Sequence, residues 1–482
     1  MIRFIVVFAS LFGIVSIADA SERPNVVFVA IDDLNDWVGC LGGHPQVQTP
    51  CIDRLAARGV NFTNAHCQAP ICNPSRISML LGKLPSTTGH YFLAPGFRDV
   101  DVTRDDVTLF QYFRSQGYRT ESMGKVFHSG SDEASFDHVE RSQGYRRAKG
   151  QTEKLRYRLP GSHPGWDWGE FPMADKDQRD HYTAAWAAKR IPELAEQEQP
   201  FCMAIGFHLP HVPIYATKKW FDMYPLATLQ MPKSPADDLD DVPPIAVQLS
   251  LNPTAPRHQW MTETGEDKHA VQAYLASISF VDHLVGMVTD SIENAGLGDN
   301  TMVVLFSDHG FHLGEKNKWA KRSLWLRTTR VPLIISGPGF SKNQLCNSPV
   351  GLIDVYPTLV QACGLPMPDG LDGNSLVGLM KDTASPWDHP AICTFGPGNH
   401  SVQSRDYHYI RYQDGAEELY DHRTDKDELH NLIGDETLEP ISARHRAWVP
   451  VDDAPMVPGS RGSDSPLYGE SEGLLEAMNR NE

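Results

Sequence analysis

Two short apolar runs, each ending in acidic residues, constrain this chain more than any other feature. Asn25 to Ile31 reads NVVFVAI and stops at Asp32-Asp33; Met302 to Phe306 reads MVVLF and stops at Ser307-Asp308-His309-Gly310. An unbroken, partly β-branched apolar run fits a strand buried on both faces of a parallel sheet. Val331 to Ile335 is a third such run. Between them, Val271, Tyr274, Leu275, Ile278, Val281, Val285, Val288 and Ile292 recur at steps of three, four and seven. That is a helical stripe, and Gly296 is placed to stop it. Alternating strands and helices predict an α/β fold: a large, mostly parallel sheet with helices on both faces. Such folds bind ligands at the carboxyl ends of their strands, which singles out Asp32, Asp33, Asp308 and His309.

The rest of the chain divides by composition. Residues 140–180 and 225–264 are rich in Pro, Gly, Trp and charge, and read as long loops that shape a cleft. Beyond Asn374, Tyr407 to Tyr412 and Glu418 to Asp421 predict short strands around a turn at Asp414-Gly415. The last thirty residues are polar and read as a surface tail. At the other end, Arg3, the apolar stretch Phe4 to Ile17 and Ala18-Asp19-Ala20 have the layout of a secretory signal. The run falls short of the ~20 residues a spanning helix needs. The expectation is export to a periplasm, lumen or exterior, with no stable membrane span. The formal net charge is −18, from 43 Lys+Arg against 61 Asp+Glu. Nucleic-acid binding needs a basic footprint and is disfavoured, and an anionic substrate would need a local basic pocket. Eight cysteines are too few for a disulfide framework in 482 residues, and their pairing is not legible.

The most informative segment is Ala69 to Pro85, APICNPSRISMLLGKLP. Asn73 suits an N-cap and Pro74 a first helical position, so Cys72 is expected at the positive end of a helix. A cysteine there reads equally as a low-pKa thiol, a buried structural residue or a nucleophile. A phosphate-binding C-x5-R loop is excluded, because Ser78 stands where its arginine would be.

C-x-P-S-R followed by a helix and a Gly-x-x-Pro turn resembles the signature of type I sulfatases. Gly124-Lys125-Val126-Phe127-His128, Gly206-Phe207-His208-Leu209-Pro210-His211, Trp319-Ala320-Lys321, and Leu419-Tyr420-Asp421 with Asn431-Leu432 resemble segments of iduronate-2-sulfatase-like enzymes, in the same order. The resemblance covers the chain to about residue 435. It implies an alkaline phosphatase/sulfatase-like fold, with a catalytic domain at 21–373 and a small α+β subdomain at 374–435, between the signal at 1–20 and the polar tail at 436–482 that composition already marks. It implies that a sulfatase-maturing enzyme converts Cys72 to formylglycine, whose hydrate attacks a sulfate ester and then releases sulfate by elimination. Asp32, Asp33, Asp308, His309 and the oxidised Cys72 would hold one Ca²⁺, a hard cation suited to oxygen ligands. Arg76 would hold the diol, Lys125 and Lys321 would clamp sulfate, His128 would be the base and His208 the acid for the leaving oxygen. The implied substrate is a sulfated carbohydrate carrying a 2-O-sulfate on a uronate-type sugar. Rival readings are a formylglycine-dependent phosphonate or phosphate ester hydrolase, and a non-catalytic glycan-binding relative that keeps a Cys72 thiol. Arg98, His163, Trp166, Trp168, His181 and His211 are further candidates for contact with the sugar.

Overall fold

The computed structural model describes residues 23–159, 162–163 and 165–469. The expected signal at 1–20 and the last residues of the expected tail lie outside them. Eight strands form the main sheet: β1 (Asn25–Asp32), β2 (Val60–Phe62), β3 (Arg119–Gly124), β4 (His138–Val139), β5 (Phe201–Pro210), β6 (Thr301–Ser307), β7 (Leu333–Ser336) and β8 (Gln344–Cys346). Their order is β8-β2-β7-β6-β1-β5-β3-β4. Strand β7 is antiparallel to both its neighbours, and the other pairings are parallel.

The two apolar runs are the centre of this sheet, and β1 shows why they are unbroken. Val26, Phe28 and Ala30 enter the core on one face, while Val27, Val29 and Ile31 enter the core on the other. The flanking helices are α1 (Cys72–Leu81), α2 (Arg179–Ala195), α3 (Glu266–Asn294) and α4 (Val355–Ala362). Ile77 and Leu80 of α1 and Leu359 of α4 close the first face. Ile191 of α2 and Leu275 and Val285 of α3 close the second. Each such fully buried aliphatic side chain contributes about 1.5–3 kcal/mol relative to exposure. Among the described residues only α3 is long and apolar enough to cross a membrane, and 83% of its apolar window is buried in the fold, as befits a core helix.

Beyond the main sheet, β9 (Ala391–Thr394), β10 (His400–Gln403), β11 (Tyr407–Arg411) and β12 (Glu417–Asp421) form an antiparallel meander. Gly415 makes its expected turn with φ +90°, a conformation that favours glycine. The stretch after residue 435, read as a tail from its polarity, carries helix α5 (Glu439–Arg446), whose Ile441 packs on Val402, Tyr409 and Leu419. The chain then runs back over the meander and the main-sheet region. Asp453 Oδ2 accepts from the Gly398 N–H (2.5 Å), Arg461 pairs with Ala94 through the backbone, and Ser465 Oγ donates to the Gln248 carbonyl (3.1 Å). The polar groups of this stretch are hydrogen-bonding partners for the rest of the fold. The region 225–264 likewise departs from a plain loop and holds two short helices, Pro244–Ser250 and His258–Thr264.

Candidate active site

Four neighbouring parallel strands, β6, β1, β5 and β3, deliver polar side chains at the same sheet edge. Asp308 and His309 follow β6, Asp32 ends β1 and Asp33 follows it, His208 lies near the end of β5, and Lys125 follows β3. Helix α1 begins at Cys72, capped at Gly82 by a left-handed turn. Its N-cap is Ile71, so the expected role of Asn73 is corrected. Asn73 sits inside the first turn, and its Nδ2 donates to the carbonyls of Phe92 and Pro95 (3.0 Å each). Those two acceptors lie on the neighbouring loop and draw the amide away from the helix end. Cys72 remains at the positive end of the helix.

The cations converge on Cys72. Lys321 Nζ lies 2.9 Å and Lys125 Nζ 3.8 Å from its Sγ, and His309 Nε2 lies at 3.2 Å. Burial disfavours a Cys72 thiolate, but Lys125, Lys321, His309 and a hydrogen bond from His128 outweigh it and hold the thiol well below its usual range. The lysines are themselves held: Lys321 pairs with Asp33 Oδ1 at 2.7 Å and Lys125 pairs with Asp32. Arg76, 1% exposed, donates from Nε to Asp308 Oδ2 (2.8 Å) and from Nη1 to the Val126 carbonyl (3.0 Å), and its Nη2 reaches Asp32 (3.4 Å). Arg76 is thereby fixed between the strand ends by Asp308, Asp32 and the Val126 carbonyl.

The acids form a cation pocket. Ligand atoms of Asp32, Asp33, Cys72 and His309 lie within 4.8 Å of one another. Asp33 has φ +63°, a conformation open to aspartate, and is pinned by its N–H to Asp308 Oδ1 (3.2 Å) and its carbonyl to the Tyr274 hydroxyl (2.6 Å). Its Oδ2 is buried with no hydrogen-bond partner, which is costly unless a ligand meets it. Burial lowers the affinity of His309 for a proton, yet Asp308 raises its pKa to about 9, so this position favours positive charge. Carboxylate oxygens, an imidazole and an orphaned carboxylate oxygen fit a divalent cation. Asp308 stands beside the tight set rather than within it. Its carboxylate already accepts from Arg76, the Asp33 N–H and the His309 N–H (3.1 Å), and burial pushes its pKa up to about 6.

His208 is presented by Asp180 of α2, which accepts from the His208 and Leu209 N–H groups (2.8 and 2.7 Å) and faces His208 Nδ1 at 3.3 Å. Burial holds His208 below the ordinary histidine range against the pull of Asp180. His128 Nδ1 is buried without a partner. Of the sugar-contact candidates, His211 lies close enough to Asp32 to act on its charge. His163 stands within electrostatic reach of His211 and Asp464. Arg98 is committed to Asp132 and Gln111, Trp168 donates to Glu266, and Trp166 packs on Phe311, so these three build the scaffold. His181 lines a separate surface cleft with Asp175 and His283. Sequence reasoning missed Asp180 and Tyr274. Nothing in their flanks marks them, because each acts through a contact distant in sequence.

The Sulfatase family model matches residues 24–365, and a model described as N-sulphoglucosamine sulphohydrolase, C-terminal, matches residues 314–449. A sulfatase of Formosa agariphila is 40% identical over 428 residues, covering 85% of this chain and 83% of that protein. Iduronate 2-sulfatase of Mus musculus is 30% identical over 398 residues, covering 72% and 70%. In fold, the chain is similar to the phosphonate monoester hydrolase of Agrobacterium radiobacter, with a TM-score of 0.72 at 20% identity over 88% of this chain and 94% of that one.

Proposed function

The chain belongs to the sulfatase family and hydrolyses sulfate esters, and from that premise we propose that it is exported and removes a 2-O-sulfate from a uronate-type sugar of a sulfated polysaccharide or oligosaccharide. The single observation that carries the catalytic part is Cys72 at the head of α1, with two lysines and two histidines turned onto its sulfur. In this reading a maturing enzyme oxidises Cys72, and the resulting aldehyde hydrate supplies the nucleophile and later the route by which sulfate is eliminated. Asp32, Asp33, His309 and Asp308 would hold a divalent cation, best matched by Ca²⁺, which would supply Lewis-acid stabilisation of sulfate charge.

The protein's own side chains do the rest. Lys125 and Lys321 approach position 72 from opposing acids, Asp32 and Asp33, and so flank the space a sulfate bound there must fill. Their charges are already oriented, so stabilising the developing negative charge requires little reorganisation. Arg76 ties Asp32 to Asp308 and keeps the β1 and β6 ends in register. His128, hydrogen-bonded to position 72, is placed to take a proton there. His208, oriented by Asp180, is placed to give one to the departing sugar oxygen.

The uronate part is supported by the match to iduronate 2-sulfatase over 72% of the chain. A panel of disaccharides sulfated at single defined positions tests it, with phosphonate monoesters alongside. Preferential release from the uronate 2-O position is expected. Preference for another position would refute the substrate assignment, and phosphonate turnover far above sulfate turnover would refute the reaction class.

A further inference from the structure

Each lysine or arginine against Cys72 or the acids beside it has a protein carboxylate of its own, whereas Arg146 lies in the adjoining cleft with His208 and His211. Arg76 has Asp308 and Asp32, Lys125 has Asp32, and Lys321 has Asp33. Arg146 has none among the described residues. Its Nη2 donates to the Val212 carbonyl (2.6 Å) and lies 3.3 Å from His211 Nδ1. Its Nε and Nη1 make no hydrogen bond among the described residues, and the side chain is only half-buried. Burial depresses its pKa, and Asp32, Asp180 and Asp33 act on its charge from beyond contact distance. All three of those acids are already committed: Asp32 to Lys125, Asp33 to Lys321, and Asp180 to the backbone N–H groups beside His208.

The position of Arg146 is built. Tyr145 bridges Gln178 through the backbone; its N–H donates to the Asp177 carbonyl (2.9 Å) and its carbonyl accepts from the Arg179 N–H (3.1 Å). Gly144 permits this approach: it has φ +79°, and a Cβ there would lie 2.9 Å from the backbone of Gln178 and Arg179. A planar guanidinium held at one edge, with its remaining donors free, is suited to bidentate recognition of a carboxylate.

We propose that Arg146, braced by Val212 and His211, binds the carboxylate of the uronate ring whose sulfate is removed, making it a specificity residue of the site. This rests on the uronate reading above. It adds a second anion subsite at a set distance from the first, so the enzyme would read a sulfate and a carboxylate together.

The test compares kcat/KM of the mature, oxidised enzyme on a 2-O-sulfated uronate disaccharide and on its carboxyl-reduced counterpart. The wild type is expected to favour the carboxylate substrate by roughly 10- to 100-fold, the scale of a hydrogen bond to a charged group. In Arg146→Gln that ratio should collapse toward one, mostly through KM, and Arg146→Lys should keep part of it. A ratio that survives in Arg146→Gln overturns the assignment, as does an equal loss on both substrates, which would place Arg146 on the sulfate or the scaffold. If Arg146→Gln is inactive on both, Arg146→Lys decides: an unchanged ratio refutes the bidentate contact. A wild-type ratio near one refutes the uronate reading itself, and is distinguishable because it appears before any substitution.

Discussion

Replacing Lys321 with Met separates sulfate recognition from cation binding. Lys321 Nζ bridges Asp33 Oδ1 (2.7 Å) and Cys72 Sγ (2.9 Å), and its side chain is only 10% exposed. A unit charge about 4 Å from a sulfate oxygen interacts by ~4 kcal/mol at an effective dielectric near 20. Loss of one preoriented oxyanion donor costs about 2.7–4 kcal/mol, or roughly 10²–10³ in kcat. The two figures agree, so kcat/KM of Lys321→Met is expected to fall by about two to three orders of magnitude. Inhibition by free sulfate should weaken as well. The effect on the cation has the opposite sign, because Lys321 competes for Asp33 Oδ1 with any ion held there. Calcium affinity, read from bound metal and from the calcium-dependent rise in Tm, should hold or increase. Without metal, Asp33 would keep its unpaired Oδ2 while Oδ1 lost its lysine and retained only His309 Nε2 at 3.5 Å, and the variant should lose about 3–5 kcal/mol, most of it restored by calcium. A loss in kcat/KM below tenfold, or a parallel loss of calcium and sulfate affinity, would refute the reasoning.

Three other outcomes follow from the geometry. In His208→Asn, turnover of sugar sulfates should fall far more than turnover of aryl sulfates with good leaving groups; and because burial holds His208 below 6.5, wild-type sugar-sulfate activity should decline as pH rises through that lowered value. Equal losses on both substrates would remove the acid role. Glu428 accepts from His408 (2.5 Å) and His422 (2.8 Å); burial raises its pKa, but the two histidines outweigh this and hold it well below the ordinary value. Its stabilisation is therefore full above an unfolded pKa of about 4.3 and is lost as pH falls through the depressed folded value. Glu428→Gln should lower Tm at neutral pH and flatten the acid limb of the Tm–pH curve, and an unchanged acid limb would count against this latch. A Cβ at Gly206 would lie 2.1–2.5 Å from the Lys125 backbone, so Gly206→Ala should cost about 1–3 kcal/mol and displace Lys125, with activity falling beyond what the change in Tm predicts.

The parts of the fold legible in the sequence were those whose burial is complete. The runs at Asn25 and Met302 declare their strands because both faces of β1 and β6 are covered, and the stripe from Val271 declares α3 because its contacts repeat at the helical period. Strand β3, RTESMG, carries a buried Glu121 paired with Arg190 and Arg119, and this polar interior hides it from any apolar pattern. At the site, Asp32, Asp33, Asp308 and His309 were legible from their place after strands, and Cys72, Arg76, Lys125, His128, His208 and Lys321 from family-like flanks. Arg146 and Asp180 were not. One lies in a segment without periodicity and the other in the first turn of a helix, and each gains its role only when β5 brings His208 and His211 alongside. The polar stretch after residue 435 misleads for a related reason: composition cannot tell a solvated side chain from one bonded to a distant backbone carbonyl.

The central claim is that position 72 works as an oxidised residue. Mature enzyme from a host with a sulfatase-maturing activity can be digested and the Cys72 peptide analysed by mass spectrometry, alongside sulfate release by the same preparation. The account predicts formylglycine at position 72 in proportion to activity across preparations of differing maturation, with Cys72→Ala folded and inactive. Full sulfate release from a preparation whose Cys72 remains entirely thiol would contradict it.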